Sequence, residues 1–401
     1  MSKTFCILPW VHTHIKPNGD VHLCSRKSIP LGNLNNTPID DILNSSEMNE
    51  VRRKMLNGEE VTGCEKCYHT ETISKVSLRK HSNLWFKELM LNNKVLDWGD
   101  ILTYDGISDY NQDWVTIFKH TPIKLKWIAI HASNICNLSC RGCYSGLSSK
   151  WRKDEAKLGI NPYPLHNDDL DKWGLDFKSV DYITMFGGEP LVMKQNDQLM
   201  DQLLADERIS EKVLQYYTNC TVMPDEKTMS VWKQIKKLQL FLSIDGFKEH
   251  NDYFRHGSKW HEVEANIRKL KEYADKYNWD IKTTTVINIH NVENLEVLHN
   301  WLITQKFKTN EITHNLCIFP QELDIRNLPD EYKETIRQRY KQSSLPNQLK
   351  DLVLMHLGSP ANIDFLAVTA FSRKLDTLRN ETNPLPSLDV HMNNSLPRDT
   401  I

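Results

Sequence analysis

From Lys126 onward, short apolar runs alternate with amphipathic stretches. The runs cover 127–131, 182–186, 213–218, 238–244, 281–289 and 311–319, each of strand length. Between them, stretches such as 197–204, 225–236, 260–277 and 292–306 repeat their apolar positions every three or four residues and predict helices. Six strand–helix alternations require parallel strands with right-handed crossovers. The expected class is therefore α/β, a partial (β/α)6 TIM-like barrel or an open doubly wound sheet.

The first 70 residues have a different texture. Residues 10–15 alternate with period two, Pro17 to Asp20 reads as a turn, and 21–24 returns, which predicts a β-hairpin. Residues 37–43, with Thr37 as cap and Pro38 at the first helical position, and residues 46–56 predict two helices. The sequence Gly63-Cys64-Glu65-Lys66-Cys67 closes the module. Residues 71–125 are mixed, with one helix expected near 77–91 and irregular chain after it. Residues 331–380 read as helical, and the two prolines and the Asn pair after Glu381 predict a poorly ordered tail. The expected layout is a metal-binding module at 1–70, a connecting segment at 71–125, the α/β domain at 126–320, C-terminal helices at 321–380 and a flexible tail at 381–401.

Composition narrows the function classes. The chain of 401 residues has room for two or three domains, and 50 Lys plus Arg against 52 Asp plus Glu leave a net charge of −2. That balance supplies no polycation for a nucleic-acid backbone, so no nucleic-acid partner is expected. No apolar run approaches a membrane span, and no basic segment followed by a long apolar run opens the chain; a cytoplasmic, reducing setting is expected. Nine cysteines, an odd number, argue against a disulfide framework. Seven of them fall into two groups: Cys136, Cys140 and Cys143 form C-x3-C-x2-C, and Cys6, Cys24, Cys64 and Cys67 form a looser set. Cys220 and Cys317 stand alone and are expected in the core.

Unusual residues fall repeatedly at the carboxyl ends of the predicted strands, where α/β folds carry their chemistry. The first strand runs into the Cys136 to Cys143 loop, the second into Gly187-Gly188-Glu189-Pro190, the third into Thr218-Asn219-Cys220-Thr221, the fourth into Ser243-Ile244-Asp245-Gly246 and the fifth into Asn288-Ile289-His290. Three thiolates within eight residues suit three corners of an iron–sulfur cubane and leave one iron open, whereas structural zinc wants four closed ligands. Gly187 and Gly188 form a turn whose backbone can approach a ligand, and Glu189 offers a carboxylate to an ammonium group; an ordinary βα turn is the plainer alternative. Ser243 and Asp245 can bond hydroxyls and Arg255 can neutralise a carboxylate, although each also suits a turn or surface position. The four N-terminal thiols would staple a module too small to hold its own core, around either a closed [4Fe-4S] cluster or zinc, and spacing leaves that choice open.

Taken together, C-x3-C-x2-C, GGEP, Thr-Asn and Ser-Ile-Asp-Gly at successive strand ends resemble the radical S-adenosylmethionine superfamily over roughly residues 126–320. The N-terminal cysteine set resembles the auxiliary-cluster modules called SPASM or twitch, here placed ahead of the barrel and not after it. The resemblance implies that Cys136, Cys140 and Cys143 hold a [4Fe-4S] cluster whose open iron takes the amine and carboxylate of S-adenosylmethionine. It also implies that Gly187, Gly188, Glu189 and Pro190 meet the methionine ammonium, and that Asn219, Ser243, Asp245 and Arg255 touch the same cofactor. Cys6, Cys24, Cys64 and Cys67 would hold a second, auxiliary [4Fe-4S] cluster. The implied reaction is reductive cleavage of S-adenosylmethionine to a 5′-deoxyadenosyl radical that abstracts hydrogen from a substrate. A reductant such as flavodoxin or ferredoxin and a peptide or protein substrate are the implied partners. A small-molecule or nucleotide substrate, or a non-catalytic redox or interaction protein, are the competing readings. No catalytic acid, base or radical-quenching residue is assigned. Two departures stand out: Gly142 occupies the place where relatives carry an aromatic residue, with Tyr144 just past Cys143, and Cys220 stands where many have glycine.

Overall fold

The computed structural model describes residues 4–25, 29–73, 77–92 and 124–395. The irregular chain expected after residue 92 falls almost wholly outside them. The protein divides into two compact units: Met1–Asn134, His166–Tyr216 and Asp225–Leu238 form the first, and Ile135–Leu165, Tyr217–Pro224 and Gln239–Ile401 form the second.

In the first unit, β1 (His12–Ile15) and β2 (Asp20–His22) pair antiparallel as the predicted hairpin, and β3 (Gly32–Asn33) pairs antiparallel with β2. Gly19 in the turn has φ +85°, the left-handed region that an L side chain resists. The period-two pattern placed the first strand from Trp10. Instead Leu8–Val11 forms a buried helical turn, whose Pro9 carbonyl accepts from the Arg52 guanidinium at 3.0 and 2.7 Å. This turn takes up the unequal distances of Cys6 and Cys24 from the hairpin tip.

Strand β1 also pairs in parallel with β4 (Trp127–His131), His12 opposite Trp127 and Ile15 opposite Ile130. The N-terminal module thus shares a sheet with the first strand of the α/β domain, which strand patterns alone did not disclose. In turn β5 (Tyr182–Phe186) and β6 (Val213–Thr218) follow in parallel. Alternation along these strands puts Ile128, Ile130, Ile183, Met185, Leu214 and Tyr216 on one buried face. The Tyr216 ring meets Trp232 of the helix Glu226–Gln234 at 5.2 Å. On the opposite face Trp127 and Tyr182 pack on Trp85 of the helix Leu78–Asn92, with ring centroids 5.0 and 5.3 Å away.

The second unit holds β7 (Lys237–Ser243) from Gln239 onward, β8 (Asp280–Ile287) and β9 (Ile312–Leu316), paired in parallel in that order. The helices Trp260–Tyr277 and Leu295–Thr304 make the crossovers, so all six predicted strands are present as β4 to β9 and the α/β class holds. The core of this unit gathers Ile287, Ile289, Leu323, Tyr332, Ile336, Val353 and Val368. Beyond it run Asp330–Gln342, Asn347–Leu357 and Phe365–Arg379.

The tail expected to be poorly ordered from Glu381 is different. Pro386–Ser395 is a helix, and Leu385, Leu388 and Met392 are buried in the same core. Pro386 opens that helix where its missing N–H costs nothing, and Leu385, Leu388 and Met392 recur at three- and four-residue spacing to form a short apolar stripe. Burying each of the last two side chains stabilises the docking by roughly 2 kcal/mol. Among the described residues no helix is long and apolar enough to cross a membrane.

Candidate functional site

The cysteine loop lies in the second unit. Cys136 is buried and Cys140 and Cys143 are half-buried. The Cys143 N–H donates to the Cys140 carbonyl at 3.0 Å, a tight turn that sets these two side chains. The Cys136 N–H donates to Ser149 Oγ at 3.2 Å, and the indole of Trp151 donates to the Cys140 carbonyl at 2.7 Å. Burial first, and then the neighbouring sulfurs of Cys140 and Cys136, push the Cys143 thiol well above its ordinary range. Both neighbouring sulfurs therefore lie close enough to act on Cys143, and a bound cation would offset that repulsion. The donor set is soft, and the Cys136 sulfur already accepts from the Leu138 N–H at 3.5 Å, as cluster sulfurs do. The loop therefore fits a [4Fe-4S] cluster. Among the described residues no three of His, Cys, Asp or Glu converge tightly enough to hold one metal ion.

Arg255 and Asp245 are buried beside this loop. Arg255 Nη2 pairs with Asp245 Oδ2 at 2.7 Å, and Nη1 donates to Cys140 Sγ at 4.0 Å. Asp245 Oδ1 accepts from the Val286 N–H at 2.7 Å, so both of its oxygens are committed within the protein. Burial raises the Asp245 carboxyl despite the guanidinium against it. Arg255 Nε is buried with no hydrogen-bond partner among the described residues. Asn219 accepts from the Thr221 N–H at 2.9 Å and donates to Asn137 Oδ1 at 2.9 Å, next to Cys136. Ser243 ends β7, half-buried.

The Gly187–Pro190 turn belongs to the first unit. Gly187 has φ +134°, and a Cβ there would lie 2.7 Å from the Ser133 carbonyl oxygen, so only glycine fits. The Gly188 N–H donates to that same carbonyl at 3.2 Å. The Glu189 carboxylate, 1% exposed, accepts from the Leu191 N–H at 3.2 Å and caps the short turn Pro190–Val192.

All four N-terminal cysteines line one recess of about 390 Å³, open solvent included, together with Lys66 and Arg79. Cys6 is fixed by its neighbours: Asn83 accepts from the Ile7 N–H at 2.7 Å and donates to the Phe5 carbonyl at 3.0 Å, and Arg79 donates to the same carbonyl at 2.7 Å. The Cys67 N–H donates to the Cys64 carbonyl at 3.0 Å, turning both thiols to one side at the start of the helix Glu65–Ile73. Burial, then Cys24 and Cys64, push the Cys6 thiol up, while Arg79 draws it down. Four soft donors with Lys66 and Arg79 beside them fit an anionic four-thiolate cluster.

The two departures have structural reasons. A Cβ on Gly142 would sit 3.0 Å from the ring of Phe254, so that ring fills the space a side chain would need. Tyr144 instead stacks edge-on with Tyr163 and Phe319, at 5.4 and 6.1 Å. Cys220 has φ 62° and is fully buried, which explains why glycine suits that place; its thiol donates to the Thr218 carbonyl at 3.7 Å. Cys317 is core, as expected. Sequence reasoning overlooked Asn137, Trp151, Arg141, Asp376 and Glu381. A lone arginine inside a cysteine turn was the available signal.

A model of the Radical SAM superfamily matches residues 130–302, and one described as SPASM, an iron-sulfur cluster-binding domain, matches residues 6–68. No curated protein matches the chain. Among solved structures, native anSMEcpe with bound AdoMet is 18% identical over 63% of this chain and 66% of that one, with a TM-score of 0.38. SuiB of Streptococcus suis bound to S-adenosylmethionine is 16% identical over 73% of this chain and 62% of that one, with a TM-score of 0.34. The chain thus spans just under two thirds of the length of either. The chain carries a radical SAM domain over residues 130–302, with a SPASM iron-sulfur domain ahead of it over residues 6–68.

Proposed function

We propose that this protein is an enzyme that reductively cleaves S-adenosylmethionine to methionine and a 5′-deoxyadenosyl radical, which abstracts hydrogen from a peptide or protein. The carrying observation is the cysteine loop itself: Cys143 within electrostatic reach of both Cys136 and Cys140, the Arg255 guanidinium at the Cys140 sulfur, and a superfamily match spanning the segment. A [4Fe-4S] cluster held by Cys136, Cys140 and Cys143 would supply the electron and a coordination site.

The protein's own part is binding and orientation. The Gly187–Gly188 backbone would receive the methionine ammonium, with Glu189 and Pro190 holding the turn in shape. Arg255, through its unpartnered Nε–H, would take the carboxylate, and Asp245 would keep that guanidinium in place. Asn219 and Ser243 complete the proposed cofactor contacts. Cys6, Cys24, Cys64 and Cys67 would hold the auxiliary cluster, with electron relay or structural support as its task. The SPASM domain supports the peptide reading, because proteins with such domains often modify ribosomally made peptides. A flavodoxin or ferredoxin in the cytoplasm would be the reductant.

The test is anaerobic reconstitution, dithionite and mass spectrometry of the nucleoside product. The wild-type chain should release 5′-deoxyadenosine and Cys140→Ala should release none. Equal release from both would discard the assignment of the loop.

A further inference from the structure

Arg141 sits between the second and third cysteines of the loop with no solvent exposure. A buried guanidinium needs carboxylates and hydrogen bonds around it, or it destabilises its surroundings by several kcal/mol. Arg141 finds them far along the chain. Its Nη2 donates at 2.6 Å to Asp376 Oδ1 and at 2.6 Å to Glu381 Oε2, and its Nε donates to the Tyr253 carbonyl at 3.0 Å. The guanidinium also stacks on the Tyr253 ring, 3.7 Å from its centroid, while the Tyr253 hydroxyl donates to Asp376 Oδ1 at 2.8 Å. The Arg141 N–H donates to the Phe254 carbonyl at 2.7 Å, which closes the grip on the backbone as well.

The other carboxylate oxygen of Glu381 lies 2.5 Å from His256 Nδ1, and the His256 carbonyl accepts from the Ser139 N–H at 3.0 Å. Burial would raise the Glu381 carboxyl, but His256 and Arg141 hold it below the usual carboxylate range. At the last residue of the helix Phe365–Arg379, just ahead of Glu381, Arg379 donates to Asp154 Oδ2 at 3.0 and 2.9 Å and lies over the Trp151 ring at 4.7 Å. Trp151 in turn holds the Cys140 carbonyl. Residues 376–381 thus grip both sides of Cys140, and they lie outside the segment that matches the superfamily.

We propose that Arg141 is a positioning residue of the proposed cluster site. The carboxylates at the end of the helix Phe365–Arg379 hold its guanidinium, so the Cys140–Cys143 turn is set before the cluster arrives. This rests on the functional reading above, in that the loop must hold the cluster. The C-terminal helices become part of the site, and a thiol turn that would otherwise have to be ordered on loading is ordered in advance.

The test compares wild type, Arg141→Lys, Arg141→Ala and Glu381→Gln after one reconstitution protocol. Iron per chain and the electron paramagnetic resonance of the reduced protein with and without S-adenosylmethionine are the readouts. Only a cluster with an open iron changes its signal when that molecule is added, so the auxiliary site does not interfere. Arg141→Ala should lose roughly tenfold in iron affinity at the loop. Arg141→Lys keeps the charge without the fork and should fall between, and the iron it does retain should show an altered S-adenosylmethionine response. Glu381→Gln keeps the shape of the partly exposed acid, so it should fold even if Arg141→Ala does not, and it should show the same altered response. Variants that melt earlier yet give wild-type signal per loaded iron would show a merely structural role and overturn the proposal. A wild-type chain with no S-adenosylmethionine response would instead sink the functional reading.

Discussion

Arg255 lies with its Nη1 4.0 Å from Cys140 Sγ, and Asp245 fixes it there at 2.7 Å from the neighbouring nitrogen. One buried cation therefore faces the Cys140 sulfur, and its Nε has no partner among the described residues. An N–H donor and a positive charge at a cluster sulfur favour the reduced, more negative state.

Arg255→Leu should accordingly lower the midpoint potential of the loop cluster, on the order of 50 mV, since a charged hydrogen bond contributes about 1.5 kcal/mol and one electron converts that at 59 mV per tenfold. Spectroelectrochemical titration checks it. A potential unchanged or raised would mean that the guanidinium does not act on the sulfur.

Gly187→Ala places a Cβ 2.7 Å from the Ser133 oxygen at φ +134°. Strain and crowding together should destabilise the first unit by roughly 2–4 kcal/mol. Denaturant unfolding gives the size of the loss. Full stability would show that the turn relaxes freely and does not need glycine.

Asn83→Ala leaves the buried Ile7 N–H without its partner and loosens the strap that holds Cys6. The cost should be about 1–3 kcal/mol. Iron should fall from about eight toward about four per chain, as the auxiliary site empties, with the S-adenosylmethionine response of the loop cluster intact. Retention of all the iron would show that the auxiliary site does not depend on the Asn83 strap.

Acid should weaken the fold in two stages. Burial lowers His12 to about 4, although its ring nitrogen lies 2.9 Å from the Leu23 carbonyl. The unfolded chain then takes up this proton first, near pH 6.5, so stability present above that pH is lost as pH falls toward 4. His314, likewise lowered by burial to about 4, adds to this limb. Burial would raise Asp324, but His356 at 2.9 Å and Arg326 hold it at about 2. Its contribution is present above about pH 4 and is lost as pH falls through 2. Each group accounts for roughly 3 kcal/mol at most. Unfolding free energies measured from pH 7 to pH 2 should show both limbs. His12→Asn should shallow the first and Asp324→Asn the second; identical pH profiles in these variants would reject the assignment.

What the chain alone determined is local. Strand positions follow from short apolar runs and helix positions from a period of three to four, both local to the segment, and β4 to β9 lie close to where those runs put them. The cysteine loop was readable for the same reason: its three thiols lie within eight residues and share one turn. Tertiary structure decided the rest. Arg141 and Asp376 are 235 positions apart, and Ile7 and Asn83 are 76 apart. Parallel pairing of β1 with β4 brings together two strands whose alternation is compatible with many neighbours. The helix Pro386–Ser395 forms because a core elsewhere in the chain buries its one apolar stripe. A short segment carries its own period in its residues, but its partner is set by the free energy of desolvation and charge pairing over the whole fold.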